Sequence, residues 1–173
     1  IFKLGQSFQS TDKVIMGNIK RKNLKMDALL SMKDYNLDIN NDKSVFFSEL
    51  ILALPGDNLK KHYKSLQDVI DVLKMNNVDI HQLTLLKGSW MATKQQRIKY
   101  SPQTKYRVFV GCLGIYDVGA EIEPCAEIEE VVVGNKTMSF EEYLECRKMN
   151  LLVKIYTDHD PFKEIFSLMR KFD

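Results

Sequence analysis

The sequence predicts an α/β fold in which about three parallel βα units, part of a (β/α)8 barrel, are followed by an α+β extension. Three observations carry the prediction. The stretch Ser48 to Leu54, apolar beyond its first two residues, stops on Pro55-Gly56-Asp57, as a strand covered on both faces of a parallel sheet does. Strand-like and helix-like segments alternate from Ile1 to Gly88, the pattern of βαβ units with right-handed crossovers. From Ser89 onward the alternation is lost. A closed barrel takes about 250 residues, so residues 1–88 supply part of one and cannot close it.

Residues 1–7 read as a strand, shortened by Gly5, that delivers Gln6, Ser7 and Gln9 at its carboxyl end. Ser10-Thr11-Asp12 offers an N-cap for a short amphipathic helix carrying Val14, Ile15 and Ile19 and ending between Gly17 and Lys20. A second helix is expected after Asn23, with Leu24, Ala28, Leu29 and Met32 inward, then a loop at Asn40-Asn41-Asp42 and a strand from Val45 to Leu54. Asp57 and Asn58 can cap a helix over 59–75, on which Leu59, Tyr63, Leu66, Ile70 and Leu73 share one stripe. A third strand is expected from Ile80 to Leu86, closing at Lys87-Gly88.

The region 89–173 is less regular. Ser89 to Tyr100 reads as a helix broken by Ser101-Pro102, and Tyr106–Val110 and Ile128–Val133 read as antiparallel strands separated by a loop holding Gly111, Gly114 and Gly119. Ser139-Phe140-Glu141-Glu142 has the spacing of a capping box. The helix it starts runs past Tyr143, Leu144, Arg147, Leu151, Leu152 and Ile155. It becomes almost wholly apolar, which predicts burial of its end. Asp160-Pro161 stops it, and a last amphipathic helix carries Phe162, Ile165, Phe166 and Met169.

Composition narrows the function. A net charge of +2 with 28% charged residues gives an ordinary surface, with neither the basic arm nor the acidic tail that would suggest nucleic acid. No apolar run approaches the roughly 20 residues that span a bilayer, so no membrane partner is expected. Three scattered cysteines, Cys112, Cys125 and Cys146, lack CxxC spacing. They argue against a disulfide framework or a self-contained zinc or iron–sulfur site, and for a reducing, cytoplasmic compartment. The start at Ile1, inside a strand and without an initiator methionine or signal segment, predicts a piece of a longer protein.

Ligands of parallel α/β sheets bind beyond the carboxyl ends of the strands, here Gln6 to Ser10, Leu54 to Asp57 and Leu85 to Ser89. Glu49 is the odd residue, because a carboxylate inside a buried strand costs several kcal/mol unless it is paired or faces a polar cavity. Spacing alone leaves both readings open: a salt bridge to a cation such as Arg21, or a ligand contact. Gln6, Gln9 and Ser10 suit a ribose or a carboxylate and equally suit a polar turn. Arg21, in Lys20-Arg21-Lys22, has the planar fork a carboxylate ligand needs and is otherwise a surface residue. His62, His81 and His159 stand apart, which gives a hydrolase triad or metal site little support. Trp90 and Met91 read as packing rather than a cofactor box, and Cys112 as structural, with a reactive thiol the alternative.

Taken together, several segments resemble the later half of the radical SAM barrel. They are Gln6-Ser7-Phe8-Gln9-Ser10, Arg21-Lys22-Asn23, Glu49-Leu50-Ile51-Leu52-Ala53-Leu54-Pro55-Gly56-Asp57 and Leu85-Leu86-Lys87-Gly88-Ser89. The tail is similar to the C-terminal region of radical SAM proteins with a cobalamin-binding domain, through Glu127 to Val133, Thr137 to Tyr143 and the helix that follows. The resemblance implies that Gln9 and Glu49 contact the ribose of S-adenosylmethionine or its neighbourhood and that Arg21 pairs with its methionyl carboxylate. Ala53 stands where the family usually has glycine and Lys87 where proline is common, which puts detailed contacts in question. The family's CxxxCxxC motif, which holds the [4Fe–4S] cluster, would lie upstream of Ile1. The resemblance therefore implies a fragment that binds S-adenosylmethionine and is inactive alone, with the cluster and cobalamin belonging to the full-length protein. The substrate, a small molecule or peptide, is not specified. The alternative is a non-catalytic interaction module on a barrel-like βαβ framework. Unpaired strand edges and an uncovered apolar face further predict association, with the missing N-terminal part or with a second copy.

Overall fold

The central apolar run is the central strand of a three-stranded parallel sheet. The computed structural model describes residues 3–32, 45–75, 77–119, 121–157, 162–169 and 172. In it β2 (Val45–Leu52) lies between β1 (Lys3–Gln9) and β3 (Asn77–Gln82). The helices α1 (Lys13–Asn18) and α2 (Leu59–Gln67) occupy the connections, together with a helical stretch over 26–32. One wide turn, Asp68–Val72, extends α2. The remainder is α3 (Lys94–Tyr100), the antiparallel ribbon β4 (Gln103–Val118) and β5 (Glu121–Gly134), and the helices α4 (Phe140–Thr157) and α5 (Lys163–Met169). The molecule is thus mixed α/β, and the parallel strands do not close on themselves.

Side chains alternate along β2. Ser48, Leu50 and Leu52 are fully buried, whereas Phe47, Glu49 and Ile51 are half-buried, so the strand is not covered equally on both faces as its composition predicts. The buried face takes the helices. Phe8, Leu50 and Val78 meet Leu29, Leu66, Val69 and Leu73, with Met149 and Val153 of α4 packed against the cluster. Each such side chain contributes about 1.5–3 kcal/mol by leaving water.

A second cluster joins the sheet to the extension. Leu52, Ala53 and Leu85 pack with Val131, Val132, Val133, Met138, Tyr143 and Cys146. The backbone makes the same handover. Leu83 N–H donates to Leu52 O at 3.2 Å, continuing the parallel ladder. Val132 N–H then donates to Leu83 O and Leu85 N–H to Glu130 O, both at 2.8 Å. The segment beyond β3 therefore pairs with β2 on one side and β5 on the other.

Local chemistry fixes several elements as expected. Asp12 caps α1 by accepting from the N–H groups of Val14 and Ile15, and Asn58 caps α2 by accepting from Lys61 N–H at 3.0 Å. The capping box forms, with Ser139 N–H donating to Glu142 Oε2 at 2.9 Å and Glu142 N–H to Ser139 Oγ at 3.2 Å. Of the α2 stripe, Leu66 and Leu73 are buried and Leu59, Tyr63 and Ile70 half-buried.

Other expectations are corrected. β1 runs through Gly5 to Gln9, because ladder pairing with β2 outweighs the weak strand preference of one glycine. Val14, Leu24, Ala28 and Met32 are exposed. Met26, Leu29 and Leu30 supply the inward contacts of 26–32. The helix expected over Ser89 to Tyr100 is a short 3-10 turn, Trp90–Ala92, followed by α3. The two short strands and glycine loop of the extension are one long ribbon. The apolar end of α4 is exposed at Leu151, Leu152, Ile155 and Tyr156. Its buried residues are Tyr143, Cys146 and Asn150, which follow the single stripe that reaches the sheet. Asn40-Asn41-Asp42, His159 and Asp160-Pro161 lie outside the described residues, as does the side chain of Phe166.

Candidate functional site

Adjacent parallel strands carry two of the three residues singled out in the sequence, Gln9 at the carboxyl end of β1 and Glu49 within β2. Ser7, Glu49 and Asp79 are in register across the sheet, and partners in a parallel ladder project from the same face. Glu49 is half-buried and makes no side-chain hydrogen bond or ion pair among the described residues. Its register neighbour Asp79 is held by Lys154 Nζ of α4 at 2.6 Å. Just past Ser7 a register shift interrupts the ladder. Gln9 ends the strand in the left-handed region, φ +57°, which costs a non-glycine residue about 1–2 kcal/mol. Gln9 is buried, and its Nε2 donates to Ser7 Oγ. Its Oε1 is buried and has no hydrogen-bond partner among the described residues, an arrangement that costs about 1–3 kcal/mol until a donor arrives.

The turn after Gln9 is firmly tied. Ser65 Oγ of α2 receives Thr11 N–H at 3.1 Å and lies 3.3 Å from Ser10 Oγ, while Thr11 Oγ1 donates to Asp68 at 2.7 Å. Asn23 Nδ2 donates to Ser10 O at 2.8 Å. That bond tethers the segment carrying Arg21 to the end of β1. Arg21 N–H closes α1 by donating to Met16 O at 3.0 Å, with Lys20 left-handed at φ +57°, a Schellman-type ending. The Arg21 guanidinium is exposed and pairs with neither Glu49 nor any other described residue. The sequence's alternative of a Glu49–Arg21 salt bridge is therefore absent.

The end of β2 is a type II turn. Asp57 N–H donates to Leu54 O at 2.9 Å across Pro55 and Gly56, and Gly56 has φ +88°, the backbone that this turn requires at its third position. A Cβ there would lie 2.7 Å from Asn18 Nδ2, which itself donates to Pro55 O at 2.9 Å. Ala53 is left-handed at φ +67°, a conformation glycine adopts without cost. Its N–H donates to Asp57 Oδ2 at 3.1 Å, and Asn58 N–H donates to Oδ1 at 2.9 Å. From the extension, Asn135 Nδ2 donates to Ala53 O and Leu54 O at 3.2 and 3.1 Å, and Thr137 Oγ1 donates to Asp57 O at 2.7 Å.

Sequence reasoning missed the buried polar residues behind this turn. Burial pushes the Asp57 carboxyl up to about 7, although two backbone N–H groups favour its charged form. His62 Nδ1 lies 3.8 Å from Asp57 Oδ2, and His62 Nε2 is 2.8 Å from Asn150 Oδ1 on α4. Burial lowers the His62 pKa, opposed by the Asn150 contact. One signal was available: His62 falls on the helical stripe of Leu59, Tyr63 and Leu66, where a polar residue must find a partner. Asn135, Thr137 and Asn150 gave none, because their partners lie about 80 residues away in sequence.

A buried amide oxygen and a carboxylate can accept from hydroxyl groups, and an exposed guanidinium can pair with a carboxylate. Cys112 is half-buried, Cys125 is exposed, and Cys146 is buried with its thiol pushed up to about 12, chiefly by burial. Among the described residues no group of three or more His, Cys, Asp or Glu is placed to hold a metal ion, and no helix is long and apolar enough to cross a membrane. Compared with known proteins, the chain matches no family model and no curated sequence.

Proposed function

We propose that these residues are the S-adenosylmethionine-binding later part of a radical SAM barrel, of the class that also binds cobalamin. The observation that carries the reading is a pair of polar groups on adjacent parallel strands: Gln9 at the carboxyl end of β1, with a buried amide oxygen lacking a donor among the described residues, and Glu49 within β2, with a carboxylate unengaged among them. In this reading Gln9 Oε1 accepts from a ribose hydroxyl and Glu49 accepts from another. Arg21, tethered through Asn23 to the end of β1, takes the methionyl carboxylate. The left-handed Ala53 supports the resemblance, since the family's usual glycine is the residue this backbone favours. A [4Fe–4S] cluster would supply the electron that cleaves S-adenosylmethionine. The chain holds no CxxxCxxC, so it binds this molecule without turning it over.

Calorimetric titration of S-adenosylmethionine into the chain tests the reading. Glu49→Ala and Gln9→Ala are expected to weaken binding about tenfold each, the loss of about 1.4 kcal/mol of hydrogen bonding. Arg21→Ala is expected to weaken it more, and methylthioadenosine, which lacks the carboxylate, to be indifferent to Arg21→Ala. Equal binding by all three variants and the native chain refutes the site, and iron retained after desalting refutes the view that the cluster is held elsewhere. The rival reading, a non-catalytic interaction module, is favoured by the exposed apolar face of the β4–β5 ribbon described next.

A further inference from the structure

The β4–β5 ribbon has one apolar face and one polar face. Ladder pairing sets Val108 beside Ile128, Leu113 beside Ala126, Ile115 beside Pro124 and Asp117 beside Ile122. Alternation then puts these side chains on the same face as Glu130 and Val132. At the base, α3 lies on this face, its Arg97 making a bidentate pair with Glu130 at 2.6 and 2.7 Å. From Glu130 to Ile122, roughly 27 Å at about 3.4 Å per residue, the face beyond α3 is bare. Val108, Leu113, Ile115, Ile122 and Ile128 are between 48 and 77% exposed. Tyr116, Glu123 and the Arg107–Glu129 pair lie on the opposite face. A two-stranded ribbon with an uncovered apolar face is marginal in water.

We propose that a second copy of the chain covers this face, the two ribbons packing face to face and antiparallel about a two-fold axis. Charge selects that occupant and that orientation. At the tip this face carries Asp117, exposed and without an ion pair among the described residues, whereas Glu121 and Glu123 project from the opposite face. The base carries α3, with Lys94 and Lys99 beside the Glu130-paired Arg97 and no acidic residue. The antiparallel arrangement lays each acidic tip on the basic α3 of the other copy, beside its exposed Ile98. A parallel one would set acid against acid. An isologous contact uses every such pair twice. Pairing through strand edges is disfavoured. The outer edge of β4 is broken by the register shift between Val108 and Leu113, with Gly111 at φ +81°. The edge of β5 carries Pro124 and glutamates.

Sedimentation equilibrium of the whole chain over a concentration series tests the proposal. The native chain is expected to dimerise, more weakly at high salt. Ile115→Asp, at a position 77% exposed in the isolated chain, is expected to weaken dimerisation by at least about 100-fold. Asp117→Lys and Lys99→Glu are each expected to weaken it about tenfold, and the two together to restore it. Circular dichroism of each variant confirms the fold. A native chain that stays monomeric at the highest concentration overturns the proposal, as does one that binds phosphatidylcholine vesicles through this face instead. A dimer indifferent to Ile115→Asp, or charge reversals that do not compensate, also overturn it.

Discussion

Asp57 makes the stability of this protein depend on pH in a direction opposite to that of most carboxylates. The carboxyl is about 2% exposed, and burial lifts it from 3.8 to about 7 in the folded chain. Between those values the folded state holds a proton that the unfolded state has released, so stability is highest below 3.8, falls through this window and levels above about 7. At about 1.36 kcal/mol per pKa unit, the difference corresponds to about 4 kcal/mol. His62 acts the other way. Its depressed pKa costs stability as pH drops below 6.5, so the native profile mixes the two effects. Asp57→Asn separates them. The amide has the shape of the protonated carboxyl but a single acceptor, so one of the N–H groups of Ala53 and Asn58 loses its partner and near pH 4 the variant should be less stable than the native chain by about 1–3 kcal/mol. From pH 4 to above pH 7 its stability relative to the native chain should rise by about 4 kcal/mol, which is about 2 M in urea midpoint at a slope of about 2 kcal/mol/M. Urea unfolding at half-unit pH intervals from 4 to 8.5 measures the difference. A difference that stays constant across this range would show that the carboxylate is not desolvated, and the reasoning from burial would fail.

The turn and the caps give further tests by thermal or urea unfolding. Ala53→Val should destabilise by more than about 2 kcal/mol, because a β-branched side chain is a genuine outlier at φ +67°. Ala53→Gly should fall within about 1 kcal/mol of the native chain. Relief of about 1–2 kcal/mol of strain is offset by the lost buried methyl and the freer unfolded chain, about 0.8 and 0.4–1 kcal/mol. Gly56→Ala should cost about 2–3 kcal/mol, from its φ of +88° and the displaced Asn18–Pro55 hydrogen bond. Ser139→Ala should cost about 1 kcal/mol and leave S-adenosylmethionine binding unchanged.

What was legible in the sequence was local. Leu54-Pro55-Gly56-Asp57 specifies a type II turn through residues that touch one another, and Ser139 with Glu142 specifies a cap in the same way. The α2 stripe and the parallel strands followed from periodicity. The ribbon was misjudged because Gly111, Gly114 and Gly119 were read as loop signals. In the structure Gly111 absorbs a register shift, and Gly114 leaves room for the Tyr116 ring, which a Cβ would meet at 2.7 Å. The end of α4 was misjudged because composition states how apolar a helix is, not which neighbours reach it. At the candidate site the strand-end rule found Gln9, Glu49 stood out as a carboxylate inside a buried strand, and a surface position was one of the two readings of Arg21. None of these could foresee the chain of Asp57, His62 and Asn150, which spans 88 residues from His62 to Asn150.

The two left-handed residues at the strand ends explain why the extension matters to the site. Gln9 and Ala53 each hold a backbone that costs about 1–2 kcal/mol, and such a conformation persists only where surrounding bonds over-determine it. For Gln9 those bonds come from within the parallel half, through Ser65 and Asn23 on the residues that follow it. For Ala53 they do not. Asp57 holds its N–H, but its carbonyl and that of Leu54 are held by Asn135, and the carbonyl of Asp57 by Thr137, both from the extension. Without residues 89–173 these carbonyls lose their partners and the Leu52–Ala53 cluster loses Val131, Val132 and Val133. Strain at Ala53 would then relax by moving the end of β2, the strand that fixes Glu49 beside Ser7. The extension therefore maintains the register that sets Glu49 beside Ser7, two residues before Gln9.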